Sequence, residues 1–346
     1  MSDDPNAIGW LSAAGSPFEI GQSLGAKGRD AVQRHLVHSQ IWASTTGENH
    51  AATVERLMDN TRLRFPDIWQ ELNGLADGLD LPAKNVMAWN CRGDILASVP
   101  DGCTTVQRPG PIIGLAHNED GLPFFRGSCW ILDARPDNAV GFRSFCYPGS
   151  LAGHTFGWND AGIVMAVNNL RLTGIAPQVP RMVLGRAVLN CRSLDEAVSM
   201  LSDDPACGGF HVSLAQSGDP RLLGIEYGAG QVSVCQIMQP GVHANHALHL
   251  PHPHQIITQS SHDRQKRGAE LVSQPGKADL AILGDNGKTG LPIRRDDPAD
   301  PDHENTLATC LFRVSETAIN WSIYGENHSG PTYRGQNDLV HATGVS

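Results

Sequence analysis

The pentapeptide Asp101-Gly102-Cys103-Thr104-Thr105 puts a cysteine directly after a glycine, where helix-type sequence gives way to strand-type sequence. A thiol becomes a strong nucleophile once ionised. A preceding glycine permits unusual backbone geometry and close approach to a peptide carbonyl. A thiol at position 103 can therefore attack the Gly102 carbonyl. An N-to-S acyl shift followed by hydrolysis would free the Cys103 α-amine. Such an amine titrates at roughly 7.7–8.0, near working pH, and can serve as base for its own thiol. One residue then supplies both nucleophile and base. The same pentapeptide also fits a buried structural cysteine, since Asp-Gly is common in turns.

A second constellation is His243, His246, His249, His252 and His254. Histidines at this density can ligate zinc. Pro251 and Pro253 prevent a helix from aligning them, and no acidic residue intervenes, so no metal and no other cofactor is expected. Gly114 and Gly121 do not make a nucleotide-binding fingerprint. The other seven cysteines form no CxxC pair and read as small buried hydrophobes.

The elements that must position these residues change character along the chain. Residues 15–100 read as helices. Ser16-Pro17-Phe18-Glu19 is a capping box with proline at the first helical position. Helical patterns follow near 50–62 and 64–75, and Pro82 opens another that carries Val86, Met87, Trp89 and Ile95. After Pro100 come short strand-type runs: 104–107, 112–116, 129–132, 142–147, 154–158 and 163–167. Asn159-Asp160-Ala161-Gly162 is a turn between the last two. Two helices are expected in 180–203. Strands are expected at 209–216, 221–227, 231–237 and 241–244, and a helix near 260–273. Residues 274–304, rich in Gly, Pro and Asp, read as a long surface loop. Strands at 307–314 and 317–324 close the pattern. Helices first, then strands with helical insertions, indicate a layered α+β fold with largely antiparallel sheets.

Composition narrows the function classes. The 346 residues are 40% hydrophobic, enough for a sizeable core, and carry 26 Lys+Arg against 36 Asp+Glu. A net charge of −10 with no basic run argues against nucleic acid or an anionic membrane as partner. No apolar run approaches the ~18 residues of a membrane span. The start, Met1-Ser2-Asp3-Asp4, has no signal-peptide character, so a cytoplasmic location is expected.

Six pieces, in order, resemble the acyl-coenzyme A:6-aminopenicillanate acyltransferase family of N-terminal nucleophile hydrolases. They are Gly15-Ser16-Pro17-Phe18-Glu19-Ile20-Gly21 with Gly25, Glu71 to Gly78, Val86 to Arg92, Asp101 to Thr105, Gly157 to Ile163, and His243-Ala244-Asn245-His246. The resemblance covers roughly residues 14–325. It implies a four-layer αββα sandwich and self-cleavage between Gly102 and Cys103. Residues 1–102 would be a helical segment, the α chain after cleavage, and 103–346 the catalytic β chain, together one folded unit. It implies Cys103 as nucleophile, Asp120 beside the new N-terminus, and Asn245 as an oxyanion donor. Asn168 would be a second oxyanion element, and Thr105 a hydrogen-bonding group near the cleaved carbonyl. It turns His117, Trp158 and Arg294 toward the substrate. Departures are visible. Thr306 stands where penicillin-forming members have an Arg, Gly208-Gly209-Phe210 replaces their Ser before a Phe, and related amidases have an Arg near the place of His117. Penicillin is therefore not carried over as substrate.

The expected function is an autoproteolytic N-terminal cysteine amidohydrolase or acyltransferase that cleaves a small N-acyl amide through a Cys103 acyl-enzyme. An acyl-coenzyme A-dependent N-acyltransferase, or a non-catalytic binding protein on the same fold, stays open. The expected partners are a small amide or acyl substrate and the two chains of one precursor, with a homo-oligomer possible.

Overall fold

The capping box at Ser16 starts the first helix: its hydroxyl accepts from the Glu19 amide while Glu19 reaches back to the Ser16 N–H. A computed structural model describes residues 8–338 other than 97, 101, 204, 252, 253, 288, 289 and 327. The chain runs β1 (Gly9–Gly15), α1 (Pro17–Arg34), α2 (Gln40–Thr46), α3 (Ala51–Arg64), α4 (Pro66–Leu79), α5 (Ala83–Asn90) and α6 (Arg92–Ile95). Strands β2 (Gly102–Arg108), β3 (Ile113–Gly121), β4 (Trp130–Pro136), β5 (Phe142–Cys146), β6 (Phe156–Asn159) and β7 (Ile163–Leu170) follow. Helices α7 (Arg181–Val188) and α8 (Leu194–Asp203) precede β8 (Gly209–Gln216), β9 (Leu222–Gly228), β10 (Gln231–Gln236) and β11 (Gly241–His243). Then come α9 (Gln259–Val272), α10 (Asp279–Leu283), β12 (Asn305–Val314), β13 (Ala318–Tyr324) and β14 (Tyr333–Asp338).

The strands form an eight-stranded sheet, β1-β4-β5-β6-β7-β8-β9-β10, and a six-stranded sheet, β11-β2-β3-β12-β13-β14. All neighbours are antiparallel except β1 with β4. The sheets face each other, with β2 and β3 against β7 and β8. Helices α1, α7 and α8 cover the outer face of the large sheet, and α9 and α10 that of the small one. This is the αββα layering, with one continuous core that takes in residues from Ile8 to Ile323.

Three elements depart from the sequence expectation. The segment before Cys103 is not purely helical: β1 lends an edge strand to the large sheet, so residues 1–102 share a sheet with the rest. The expected loop 274–304 contains α10, whose Ile282 and Leu283 pack with Val106, Ala116 and Ile293 over the small sheet. β14 adds an edge strand that the sequence reading did not include. The glycines of the first two motifs have a packing reason. A Cβ on Gly21 would lie 2.0 Å from the Glu71 carbonyl oxygen, and one on Gly74 2.0 Å from that of Phe18, so α1 and α4 touch backbone to backbone.

Candidate active site

Cys103 is the second residue of β2, inside a strand rather than in a turn, and is 2% exposed. Directly paired residues on antiparallel strands project to the same face. Cys103 pairs with Glu119 and Thr105 with His117, so strand alternation puts four functional side chains in a square that faces the large sheet. The thiol contacts Glu119 Oε2 at 3.7 Å. The same oxygen lies 2.9 Å from His117 Nε2, and Tyr147 donates its hydroxyl to Glu119 Oε1. His117 Nδ1 is 2.8 Å from Thr105 Oγ1, which donates to Asn168 Oδ1 on β7 at 2.7 Å. Burial, aided by Arg264, lowers His117 to about 3, so its imidazole is neutral.

The backbone of Cys103 is held from other directions. β11 pairs with β2 as far as His243, where its backbone departs; the Asn245 side chain then takes the ladder position beside Cys103. Asn245 Oδ1 accepts the Cys103 N–H at 2.9 Å, and Arg264 Nη2 donates to the same oxygen at 2.7 Å. Two donors converging on one atom fix the amide orientation, and Nδ2 is turned to the Asn169 carbonyl at 3.1 Å. The oxygen of Asn245, not its NH2, therefore faces Cys103. Arg264, from α9, also donates to the Cys103 carbonyl and to Thr104 Oγ1.

Asp120 pairs with Gly102 across the ladder and projects to the face opposite the thiol, where Oδ1 accepts from Thr306 Oγ1 at 2.6 Å. Its other oxygen is buried without a hydrogen bond, and burial raises its pKa. Glu304 comes closer still to Gly102: a Cβ there would lie 2.3 Å from Glu304 Oε2, against 3.2 Å from Asp120 Cβ. Burial lifts the Glu304 carboxyl to about 7 despite Arg171, Arg264 and Arg295 nearby. Glu304 also forms part of the wall of a cavity of about 880 Å³. Ile41, Leu96, Val99, Leu122 and Phe124 make its apolar side, and Arg171 stands beside Glu304. Arg171 Nη2 donates to the Val99 carbonyl at 3.1 Å and to Glu304 Oε1 at 3.0 Å, which clamps the segment leading into Gly102.

The three residues turned toward the substrate by the resemblance do not line this cavity. His117 lies behind the thiol. Trp158 is buried between the sheets against Phe312 and Trp321. Arg294 points to Asp296 on the loop, whereas its neighbour Arg295 is buried on Asp300 and Ser260. Thr105 and Asn168 both reach the Cys103 cluster: Thr105 bonds His117 on one side and donates directly to Asn168 on the other. Of the described histidines of 243–250, His243 and His249 both meet Glu226, at 2.8 and 3.6 Å, His249 also bonds Ser233, and His246 turns away to Ser261. His252 lies outside the described residues. Cys103, His117 and Glu119 have the donor types of a metal site and lie within 4.8 Å of one another, but they already hydrogen-bond among themselves.

Arg264, Glu304, Tyr147 and the role of Glu119 were missed. Glu119 had a signal. The Pro109-Gly110-Pro111 turn centres a hairpin on Pro111, and that register pairs Cys103 with Glu119. Arg264 and Glu304 come from segments 161 and 201 positions downstream, and only the fold brings them to Cys103.

Four αββα layers with a buried cysteine at the start of an inner strand define the N-terminal nucleophile class of hydrolases and acyltransferases acting on amide bonds, and this chain is an enzyme of that class. Residues 108–327 match the family described as acyl-coenzyme A:6-aminopenicillanic acid acyl-transferase, and the chain belongs to that family. The matched stretch begins after Cys103. Two solved variants of conjugated bile acid hydrolase from Clostridium perfringens are similar, each 12% identical and each covering 68% of this chain and 92% of its own, with TM-scores of 0.45 and 0.41. No curated protein matches. Among the described residues no helix is long and apolar enough to cross a membrane.

Proposed function

We propose that the protein is a self-cleaving N-terminal cysteine amidase. One observation carries the reading: three parts of Cys103 each have a separate buried partner, the thiol on Glu119, the N–H on Asn245 and the carbonyl on Arg264. Any buried residue needs partners for its N–H and carbonyl, but a structural cysteine does not need a thiol set on a buried carboxyl or side chains in place of the ladder at its N–H; a residue that must present a thiol and later an α-amine needs both. In the first step Cys103 Sγ bonds to the Gly102 carbonyl carbon, the C–N bond breaks, and the nitrogen takes up the thiol's proton. Water then hydrolyses the thioester and leaves Gly102 as a carboxylate. The freed α-amine, still facing Asn245 Oδ1, becomes the base for the thiol. An amide substrate is attacked in turn, its amine leaves, and water releases the acid. An acyl chain fits the apolar wall of the 880 Å³ cavity, and Val99 and Pro100 in its lining lie on the side of the chain that cleavage would free. The assignment of hydrolysis rests on the penicillin-pocket positions not being kept.

Intact-mass measurement of the purified protein with N-terminal sequencing of the larger fragment tests the first step. Fragments 1–102 and 103–346 are expected. A fragment that starts elsewhere overturns the assignment of Cys103. A panel of N-acyl amides, read by acid release, tests the second step, with an acyl-coenzyme A and an amine as the competing arm.

A further inference from the structure

In the uncut chain the Cys103 nitrogen is an amide whose N–H is donated to Asn245. An amide nitrogen has no basic lone pair, so the base that serves after cleavage cannot start the cleavage. Another group must take the thiol proton the first time.

The hydrogen-bonding chain behind the thiol identifies that group. Asn168 Nδ2 is turned to the His243 carbonyl at 3.1 Å, so only its acceptor oxygen faces Thr105. The single Thr105 hydroxyl proton therefore goes to Asn168, and Thr105 Oγ1 must accept from His117 Nδ1–H. A neutral imidazole with its proton on Nδ1 presents a bare lone pair at Nε2. Glu119 Oε2 lies 2.9 Å from that lone pair, a distance at which two acceptors repel unless one proton sits between them. The same Oε2 accepts from the thiol.

We propose that Glu119 and His117 form a proton relay for self-cleavage, which rests on the reading of Cys103 as a self-cleaving residue. The thiol proton passes to Glu119 Oε2 while the proton already on Oε2 moves to His117 Nε2. The sulfur's electron pair is freed to bond to the Gly102 carbonyl carbon. Breaking of the C–N bond then returns one proton to the Cys103 nitrogen, and the relay ends as it began. Glu119 touches the reacting sulfur and is catalytic. His117 acts through Glu119, and Thr105 positions His117 by holding its Nδ1 proton. The protein thus has two bases for one thiol, used in succession.

The test follows cleavage of freshly purified precursor over time for wild type, Glu119→Gln, His117→Gln and Thr105→Val, with circular dichroism to confirm folding. The two relay variants should cleave about 10²–10⁴-fold more slowly, the range for a positioned proton acceptor. Hydroxylamine, which cuts thioesters, should not rescue them, because no thioester forms. Turnover of an N-acyl amide per cut chain is read alongside, and cleavage should fall by a much larger factor than turnover, because only turnover has the freed α-amine as a second base. General structural damage would lower both rates together. If Glu119→Gln or His117→Gln does not fold, Thr105→Val leaves both relay groups in place, removes the acceptor for Nδ1–H together with the donor to Asn168, and should still slow cleavage. Variants that cleave at the wild-type rate, or that hydroxylamine restores, overturn the relay alone. A wild-type chain that stays whole overturns the self-cleavage reading with it.

Discussion

Glu226 and Glu304 are both buried carboxyls, and their surroundings drive them in opposite directions. Burial alone raises Glu226, but His243 and the backbone amides of Leu248 and His249 outweigh it and hold the group down at about 2. Its two oxygens accept from His243 Nε2 and from three consecutive amides, those of Leu248, His249 and Leu250, at 2.5–2.9 Å. Glu304 has one oxygen hydrogen-bonded, to Arg171, and the other, Oε2, without a hydrogen bond and only 3.8 Å from Arg295 Nη1, and it is raised to about 7. Asp120, across from Gly102, shares that lack. A satisfied carboxylate fixes structure: Glu226 pins the turn of chain that carries Asn245 to Cys103. An under-satisfied one stores unfavourable energy, and it does so next to the peptide bond proposed to break. Stability is concentrated around the first and reactivity around the second.

The largest expected effect tests whether the reactive region is dispensable for folding. Cys103→Ala removes the sulfur that the proposed self-cleavage and turnover both require. It should remain one chain, fold normally and show no amidase activity. Folding should survive because an alanine fits where the sulfur lay and the neighbouring hydrogen bonds of β2 remain. A variant still cut after Gly102 points to an outside protease, and an uncut but fully active one removes Cys103 from the mechanism. Asn245→Ala comes next. Asn245 sits on the boundary between the two regions, held by one and serving the other. Loss of a donor or acceptor at the reacting centre should lower kcat by roughly 10²–10³. A change in KM alone would make it a binding residue.

Glu226→Ala probes the stable region. It strands two buried groups, His243 and the Leu250 amide, each costing about 1–3 kcal/mol, while the part-buried amides of Leu248 and His249 can turn to water. The summed loss should be on the order of 3–5 kcal/mol of unfolding free energy, read by denaturant titration of the cleaved or uncut protein. Glu304→Gln, by contrast, should be nearly neutral at pH 7. Equal losses for the two would mean that hydrogen-bond satisfaction does not separate them.

The contrast also shows what the sequence could display. The capping box at Ser16, the helix after Pro82 and the alternation of the strands after Pro100 were legible because they are local patterns. So was the square of Cys103, Thr105, His117 and Glu119, given the Pro109–Pro111 turn and a period of two, although only part of it was used. β1 was not legible: Gly9–Gly15 is short, holds two glycines, and is a strand only because β4 lies parallel beside it. Arg264 reads as an ordinary residue of an amphipathic helix, and Glu304 as one acid of an Asp-rich loop. Their chemistry comes from burial and from neighbours far away in the chain, and neither leaves a local trace. Trp158 shows the converse error. Its motif suggested a place at the substrate, but the indole is packed between the sheets, where a large apolar ring contributes most.

The smallest expected effect has the sharpest sign. A carboxyl raised from 4.5 to about 7 binds a proton in the folded chain over a range in which the unfolded chain has lost it. Glu304 therefore supports the fold below about pH 4.5, and that contribution is lost as pH rises toward 7. Glu226, lowered from 4.5 to about 2, has the opposite dependence: its contribution is complete above 4.5 and is lost as pH falls toward 2. Between pH 5 and 8 only Glu304 titrates of the two. Uncut Cys103→Ala protein, which keeps Gly102 in place, should lose on the order of 1–3 kcal/mol from this group over that interval. Adding Glu304→Gln should flatten the slope, since a glutamine amide is neutral throughout, while Glu226→Gln should leave the slope between pH 5 and 8 as it was. Thermal unfolding of the single and double variants at pH 5, 6, 7 and 8 gives both curves. Unchanged slopes with Glu304→Gln would mean that Arg171, Arg264 and Arg295 already hold Glu304 ionised, and the carboxyl beside the cleavage position would then be as settled as Glu226.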